Sequence, residues 1–212
     1  YQLVIDPTLT WHSFVGGSGT DYVYDIAIDS SGNVYVSGAS SATWGTPVRA
    51  FVSGEDGFVA KFNSTGTLLW NTFLGGNGSF DHATAITVDG SGNTFVTGFS
   101  NATWGTPVTA YGGGDFDAFV AKVDTSGVLQ WNTFAGGSGI DAAYGIVLDS
   151  SGNSYIAGNS NTTWGTPVRA YSSAEDGFIA KLSSTGSLTW NTFVGGTGND
   201  RADDLAIDAS NN

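Results

Sequence analysis

The feature that most constrains this chain is an internal repeat of about 60 residues. The tetrapeptide Trp-Gly-Thr-Pro begins at Trp44, Trp104 and Trp164, so its copies stand 60 residues apart. A second set of tryptophans recurs at nearly the same interval, at Trp11, Trp70, Trp131 and Trp190. A fixed period of this length is typical of arrays in which each copy forms one supersecondary unit. The chain must therefore fold as several copies of one small unit.

Each unit is predicted to contain four short strands. In the first copy, residues 22–29 alternate large apolar side chains with small or polar ones, which is the period of a half-buried strand. Residues 34–38, 57–62 and 67–74 supply the other three strands. Gly32 lies in a Ser-Ser-Gly-Asn turn and can take the positive φ that a tight hairpin needs. We find no helical periodicity, so the prediction is an all-β chain.

Such a unit is apolar on both faces and cannot bury itself, so neighbouring copies must cover it. The first strand carries small residues such as Ala27, Ala85 and Ala143, which suit crowding near a central axis. The fourth strand carries Trp and Phe, which suit a wider outer rim. This increase in side-chain size from the first strand to the fourth favours a β-propeller-type array of four-stranded antiparallel blades over a solenoid.

Several ordered motifs resemble a known family. Residues 70–76 read WNTFLGG, residues 85–98 read AITVDGSGNTFVTG, and residues 117–127 read DAFVAKVDTSG, with Asp81 after the first of them. These motifs are similar to the SBBP repeat, named for seven-bladed β-propellers and found in extracellular and cell-surface proteins of bacteria and archaea. The resemblance implies a propeller fold and an extracellular or cell-surface location. It implies no ligand, because the family usually has Phe-Pro where this chain has Trp-Gly-Thr-Pro.

We predict one domain with three complete blades and a split partial fourth. The complete blades are residues 18–76, 77–137 and 138–196. Residues 1–17 supply the N-terminal strands of the split blade, at 1–5 and 9–15, and residues 197–212 supply its first strand, at 201–208. The split blade is one strand short. Tyr1 is not an initiator methionine, so we expect a processed or partial chain.

Three arrangements of these ends stay open. The chain could close a small propeller on itself, it could be an excerpt of a longer propeller, or its ends could pair with other copies of itself. The third arrangement is a head-to-tail contact, which builds rings or filaments. Its predicted assembly edges are the apolar residues Tyr1, Leu3, Ile5, Leu205 and Ile207.

Composition excludes several functions. Six Lys and Arg stand against 19 Asp and Glu, which gives a net charge of −13 and excludes binding to nucleic-acid phosphates. No apolar run approaches the roughly 18 residues that span a bilayer. Cys and Met are both absent, so no disulfide, Cys ligand or Cys nucleophile is available. An acidic chain without oxidisable sulfur suits an extracellular or cell-surface location.

Candidate catalytic and metal-binding groups are few. His12 and His82 occupy non-equivalent repeat positions, and no nucleophile elbow accompanies them. Asp recurs after each Gly-Gly loop and at the end of each first strand, at Asp21, Asp81, Asp141 and Asp200 and at Asp29, Asp89, Asp149 and Asp208. Such oxygens suit Ca²⁺, but one Asp per blade gives too few ligands, and Asx turns explain them better. We expect no catalytic residue, no metal site and no cofactor, with Ca²⁺ as the one cofactor weighed.

The repeated Trp-Gly-Thr-Pro loops are the candidate ligand-binding sites. Their members are Trp44, Trp104, Trp164, Arg49 and Arg169. Exposed indole rings would stack on sugars and give a multivalent lectin, whereas buried rings would anchor each loop over its blade. Four Asn-X-Ser/Thr sequons lie in turns or loops, at Asn63, Asn77, Asn101 and Asn161, and are glycosylation candidates.

The function we expect is a non-enzymatic extracellular structural or interaction protein, one form of which is a filament subunit joined by strand pairing at its ends. A lectin that uses the tryptophan loops is the alternative, and an enzyme is third. Expected partners are other copies of the chain and, for the lectin, glycans.

Overall fold

The computed structural model describes residues 8–208 and Ser210. Within that part of the chain no residue is helical, and twelve strands form three separate sheets. Blade 1 contains β1 (Asp21–Ile28), β2 (Val34–Ser40), β3 (Asp56–Phe62) and β4 (Leu68–Leu74). Blade 2 contains β5 (Asp81–Val88), β6 (Thr94–Ser100), β7 (Asp117–Val123) and β8 (Leu129–Ala135). Blade 3 contains β9 (Asp141–Leu148), β10 (Ser154–Ser160), β11 (Asp176–Leu182) and β12 (Leu188–Val194).

Each blade is a meander of four antiparallel strands that pair in sequence order. The first hairpin turns at Gly32, whose φ of 76° is the left-handed conformation that the sequence predicts there. In all three blades, the pairing of the first two strands shifts register at one place. In blade 1 this bulge lies between Val23 and Asp25. Because the same irregularity recurs, it is a property of the repeat.

The three blades contact one another through their first strands. β5 packs against blade 1 and β9 packs against blade 2, so the first strands of blades 2 and 3 lie at the two junctions between blades. A cavity of about 290 Å³ is lined by Tyr24, Thr84, Tyr144 and Asp203, which come from four successive repeats. This arrangement is consistent with propeller blades around one axis, and it explains why the first strands carry small residues.

The core consists of two clusters at the junctions between blades and a third on blade 1, where Phe58 packs with Trp11 and Val15 of the N-terminal segment. Tyr35 and Val59 of blade 1 pack with Ile86 and Phe119 of blade 2, and a similar cluster joins blades 2 and 3. Four fully buried members of these clusters are aromatic or large aliphatic side chains: Tyr35, Phe119, Ile156 and Phe178. The two junctions therefore bury large apolar side chains from all three blades.

The predicted end strands are corrected by the structure. Neither residues 9–15 nor residues 201–208 form a strand, and the predicted strand at 1–5 lies outside the described residues. Both described segments nevertheless make some of the contacts that the fourth and first strands make in the complete blades. Trp11 packs on Gly66 as Trp70 packs on Gly127, and the Ala202 N–H donates to the Gly158 carbonyl over 3.2 Å. A strand needs a hydrogen-bonded neighbour, and in the described part of the chain these segments meet blade faces instead.

Candidate functional site

Blade 1 has an open flank on its first strand. Val23, Ile26 and Ile28 of β1 are 51 %, 58 % and 62 % exposed. The residues at the Ile26 position in the next two blades, Ile86 and Ile146, are 5 % and 7 % exposed. The side chain and its register are the same in all three blades, so only the presence of a preceding blade differs. We call Val23, Ile26 and Ile28 the leading flank.

Blade 3 has an open flank on its other side. Val194 of β12 is 51 % exposed, whereas Leu74 at the same position in blade 1 is fully buried by blade 2. A cavity of about 410 Å³ opens beside Trp190, and only Leu205, Ala206 and Ile207 of the C-terminal segment form its far wall. We call Ile179, Trp190 and Val194 the trailing flank. The assembly residues Leu205 and Ile207 are therefore half-buried against blade 3.

The tryptophans of the Trp-Gly-Thr-Pro loops point into the blades. Trp44, Trp104 and Trp164 are only 8 %, 3 % and 6 % exposed. The Trp104 ring stands edge-on to Phe119 with 5.2 Å between the centroids, and the Asn132 amide donates to the Trp104 carbonyl over 2.8 Å. Sugar stacking needs an exposed ring face, which these rings do not offer. The structure thus shows the anchoring arrangement.

The loop arginines bond to the backbone of their own blades, Arg49 half-buried and Arg169 exposed. Arg49 donates to the carbonyls of Phe73 and Gly75 over 2.8 and 2.6 Å. Arg169 repeats these bonds in blade 3. Both guanidinium groups therefore hold the long loop against the fourth strand of their blade. Glycan binding by these arginines stays a prediction.

One polar cluster between blades 1 and 2 was not predicted from the sequence. The Tyr24 hydroxyl lies 3.1 Å from Nδ1 of His82, and Nε2 of His82 lies 2.7 Å from the Glu55 carboxylate. Burial raises the pKa of Tyr24, and the nearby Glu55 charge raises it further. The residues come from β1, a loop and β5. Tyr24 and Glu55 recur two repeats later as Tyr144 and Glu175, where Arg201 takes the place of the histidine. The cluster hydrogen-bonds the two blades together at the edge of the axial cavity.

The repeated aspartates accept backbone hydrogen bonds. Asp29 accepts from the N–H groups of Ser31 and Asn33 at 2.9 Å, and Asp89 and Asp149 repeat this turn. Asp25 accepts from the Ile86 N–H at 2.9 Å and so joins blade 1 to blade 2. Among residues 8–208 and Ser210, no three acidic or histidine side chains converge as metal ligands. The predicted Asx turns are therefore present.

The recurring lysines lie over aromatic rings. Nζ of Lys61, Lys122 and Lys181 lies 4.9, 5.0 and 4.7 Å from the centroid of a Tyr or Phe on the second strand. Lys181 also forms a 3.2 Å ion pair with Asp149. The cation–π contact is shared by all three copies, which makes it the repeated role of this lysine.

Three of the four sequon asparagines cap loops with their side-chain oxygens. Asn63 accepts from Thr65 and Thr67, Asn101 accepts from Ser79 and Phe80, and Asn161 accepts from Ile140. Asn77 is exposed in its Gly-Gly loop. Their glycosylation stays a prediction.

The fold and its two flanks define a repeat protein of the β-propeller type. The family model for the SBBP repeat, a beta-propeller repeat, matches residues 10–43 and 130–163. Two segments of the chain therefore match the SBBP beta-propeller repeat, which confirms the resemblance, while the number seven is not part of this finding. Both matches run from a fourth-strand segment through a Gly-Gly loop into the next two strands, so the repeat unit spans a blade junction. No curated protein matches the chain. None of its described residues belongs to a helix that could cross a membrane.

Proposed function

We propose that this protein is a non-enzymatic interaction module that associates with other copies of itself through its leading and trailing flanks. The observation that carries the proposal is the unequal burial of equivalent residues. Ile26 and Ile86 differ from 58 % to 5 % exposed although their sequence context and register match. Burying such apolar surface contributes roughly 25 cal/mol per Å². A second copy that covers either flank would therefore form a complex that this burial stabilises.

The two flanks complement each other because the internal junctions already contain the same contact. At each internal junction, a trailing face carrying Val59 or Val120 receives a first strand carrying Ile86 or Ile146. The trailing flank of one copy and the leading flank of the next offer the same side-chain types. Such a contact is heterologous, so it continues into a ring or an open filament according to the rotation between copies.

Face packing replaces the strand pairing expected from the sequence as the basis of this association. In a meander of this kind the free strand edges lie at β1 and β4, whereas the exposed apolar residues lie on the sheet faces. Stacking of blades therefore covers more of the exposed apolar surface than pairing of end strands would. Further repeats of a longer propeller would cover the same flanks.

We also propose an extracellular or cell-surface setting. The absence of Cys and Met, the net charge of −13 and the setting that the resemblance to SBBP proteins implies support it. Mass spectrometry of the peptides that contain Asn63, Asn77, Asn101 and Asn161, from the protein purified from its natural source, would test it, because an occupied sequon adds glycan mass to its peptide. Unmodified peptides at all four sequons would remove the glycoprotein part of the proposal.

The association is tested by sedimentation velocity over a wide concentration range, with negative-stain electron microscopy of the same samples. We expect species larger than 21.8 kDa whose mass grows with concentration. Ile26→Lys and Val194→Lys each place a charge on one flank and should weaken association at least tenfold. Val128→Lys is the matched control, because Val128 is 45 % exposed in blade 2 away from both flanks. A monomer of 21.8 kDa at the highest concentration refutes self-association.

A further inference from the structure

The Gly-Gly loop between β4 and β5 contains the one Asn-Gly pair of the sequence, Asn77 and Gly78. The equivalent loops have Ser or Thr before the glycine, at Ser18, Ser138 and Thr197. An asparagine followed by glycine is chemically unstable in water, because glycine has no side chain to keep its main-chain nitrogen away from the asparagine amide. This copy of the loop therefore carries a reactivity that the other copies lack.

The loop leaves both reacting groups unrestrained. Asn77 is exposed, and no group in the described part of the chain forms a hydrogen bond with its side-chain amide. Among the same residues, the Gly78 N–H donates to no acceptor. Gly78 is held through its carbonyl instead, which accepts from the Ser53 hydroxyl over 3.3 Å. The Gly78 nitrogen and the Asn77 side chain can therefore approach each other without breaking a hydrogen bond.

The other three sequon asparagines differ from Asn77 in both respects. Asn63, Asn101 and Asn161 each accept a main-chain N–H with the side-chain oxygen, at 2.8 to 2.9 Å. They are followed by Ser, Ala and Thr, whose side chains shield the main-chain nitrogen. These three asparagines are internal controls for any reaction at Asn77.

We propose that Asn77 is a site of spontaneous deamidation, with water as the co-reactant. The Gly78 main-chain nitrogen loses its proton and attacks Cγ of Asn77, so a C–N bond forms, the Cγ–Nδ2 bond breaks, and ammonia leaves with a proton. The product is a cyclic succinimide. Water then opens the ring at one of its two carbonyls and gives aspartate or isoaspartate. The net reaction consumes water, releases ammonium and adds one negative charge, without oxidation or reduction.

The product matters because this loop joins blades 1 and 2. The Ser53 hydroxyl of blade 1 donates to the Gly76 and Gly78 carbonyls over 3.2 and 3.3 Å. On the other side, the Ser79 N–H donates to the Asn101 side chain of blade 2 over 2.9 Å. Isoaspartate continues the main chain through its side-chain carbonyl and so adds one carbon between these contacts. They cannot all keep their geometry, and the junction between blades 1 and 2 becomes less stable.

The test is incubation of glycan-free protein at 37 °C and pH 8, followed by peptide mass spectrometry that separates aspartate from isoaspartate. The peptide with Asn77 should gain about 1 Da, roughly ten times faster than the peptides with Asn63, Asn101 and Asn161. The rate should fall about tenfold at pH 7, because the attacking nitrogen is deprotonated and its deprotonated fraction falls tenfold per pH unit.

Two variants exchange the residues of equivalent loops. Asn77→Ser introduces the residue of the loops at Ser18 and Ser138, and it should remove the reaction without lowering the Tm of fresh protein. Ser138→Asn places asparagine before Gly139 at an equally exposed position and should create a second reacting site. Incubation should lower the Tm of the natural protein and leave that of Asn77→Ser unchanged.

Two results would overturn the proposed site. The first is an Asn77 that reacts no faster than Asn101 in the folded protein. The second is an Asn77 that stays intact in the folded protein but reacts when the protein is unfolded in urea, since the fold would then prevent succinimide formation. Circular dichroism verifies folding before incubation. An unchanged Tm in fully deamidated protein would overturn the effect on the blade junction.

Discussion

The dependence of each blade on its neighbour can be measured with one substitution made at two equivalent positions. Ile86→Ala and Ile26→Ala remove the same atoms from the same register of β5 and β1. Ile86 is 5 % exposed and packs in the cluster that joins blades 1 and 2, whereas Ile26 is 58 % exposed on the leading flank. The pair therefore isolates the contribution of the preceding blade.

The two changes should differ several-fold in cost. Truncation of a buried Ile to Ala costs about 2–5 kcal/mol, because it removes transfer free energy and leaves a cavity. For Ile86→Ala we take about 3 kcal/mol, which for a chain of 212 residues lowers Tm by roughly 6–12 °C. Ile26 has less than half of its surface buried, so Ile26→Ala should cost about 1 kcal/mol or less in the dilute monomer.

The assay is thermal and urea unfolding at low protein concentration, repeated at high concentration. If copies associate through the flanks, the cost of Ile26→Ala should grow with concentration while that of Ile86→Ala stays constant. Equal losses for both variants in the dilute monomer would refute the reasoning, since the preceding blade would then not be what makes the position sensitive.

Two other predictions concern the loops and the turns. Trp104→Ala should lower the free energy of unfolding by about 3–5 kcal/mol, because it removes a buried ring in contact with Phe119. Thermal melts check this loss. If the variant instead loses glycan binding while its Tm is unchanged, the result supports the lectin. Burial opposes the ionisation of Asp149, but bonds from Asn153 and Lys181 prevail and lower its pKa to about 2. Asp149 should therefore stabilise the fold above about pH 4 and lose that contribution as pH falls towards 2, and Asp149→Asn should flatten the acid limb of a Tm–pH curve.

Much of the fold follows from the sequence because it depends on local periodicity. Alternation in residues 22–29 and the Ser-Ser-Gly-Asn turn specify a hairpin, and the observed β1 and β2 lie at those places within one or two residues. The 60-residue period adds that several such sheets must stack, because none buries both faces alone. The Asx turns at Asp29, Asp89 and Asp149 are equally local, since each links residues two to four apart.

Only the tertiary structure decided which of the equivalent residues are exposed and which polar or charged side chains come into contact. Ile26 and Ile86 are the same residue in the same pattern, and only the stacking order of the blades leaves one in water. The Tyr24, His82 and Glu55 cluster and the Asp117 and Asp141 pair join residues that are remote in sequence, so the repeat alone does not show that they come together. Periodicity describes what each blade contains, whereas contacts between blades depend on how neighbouring sheets are placed in three dimensions.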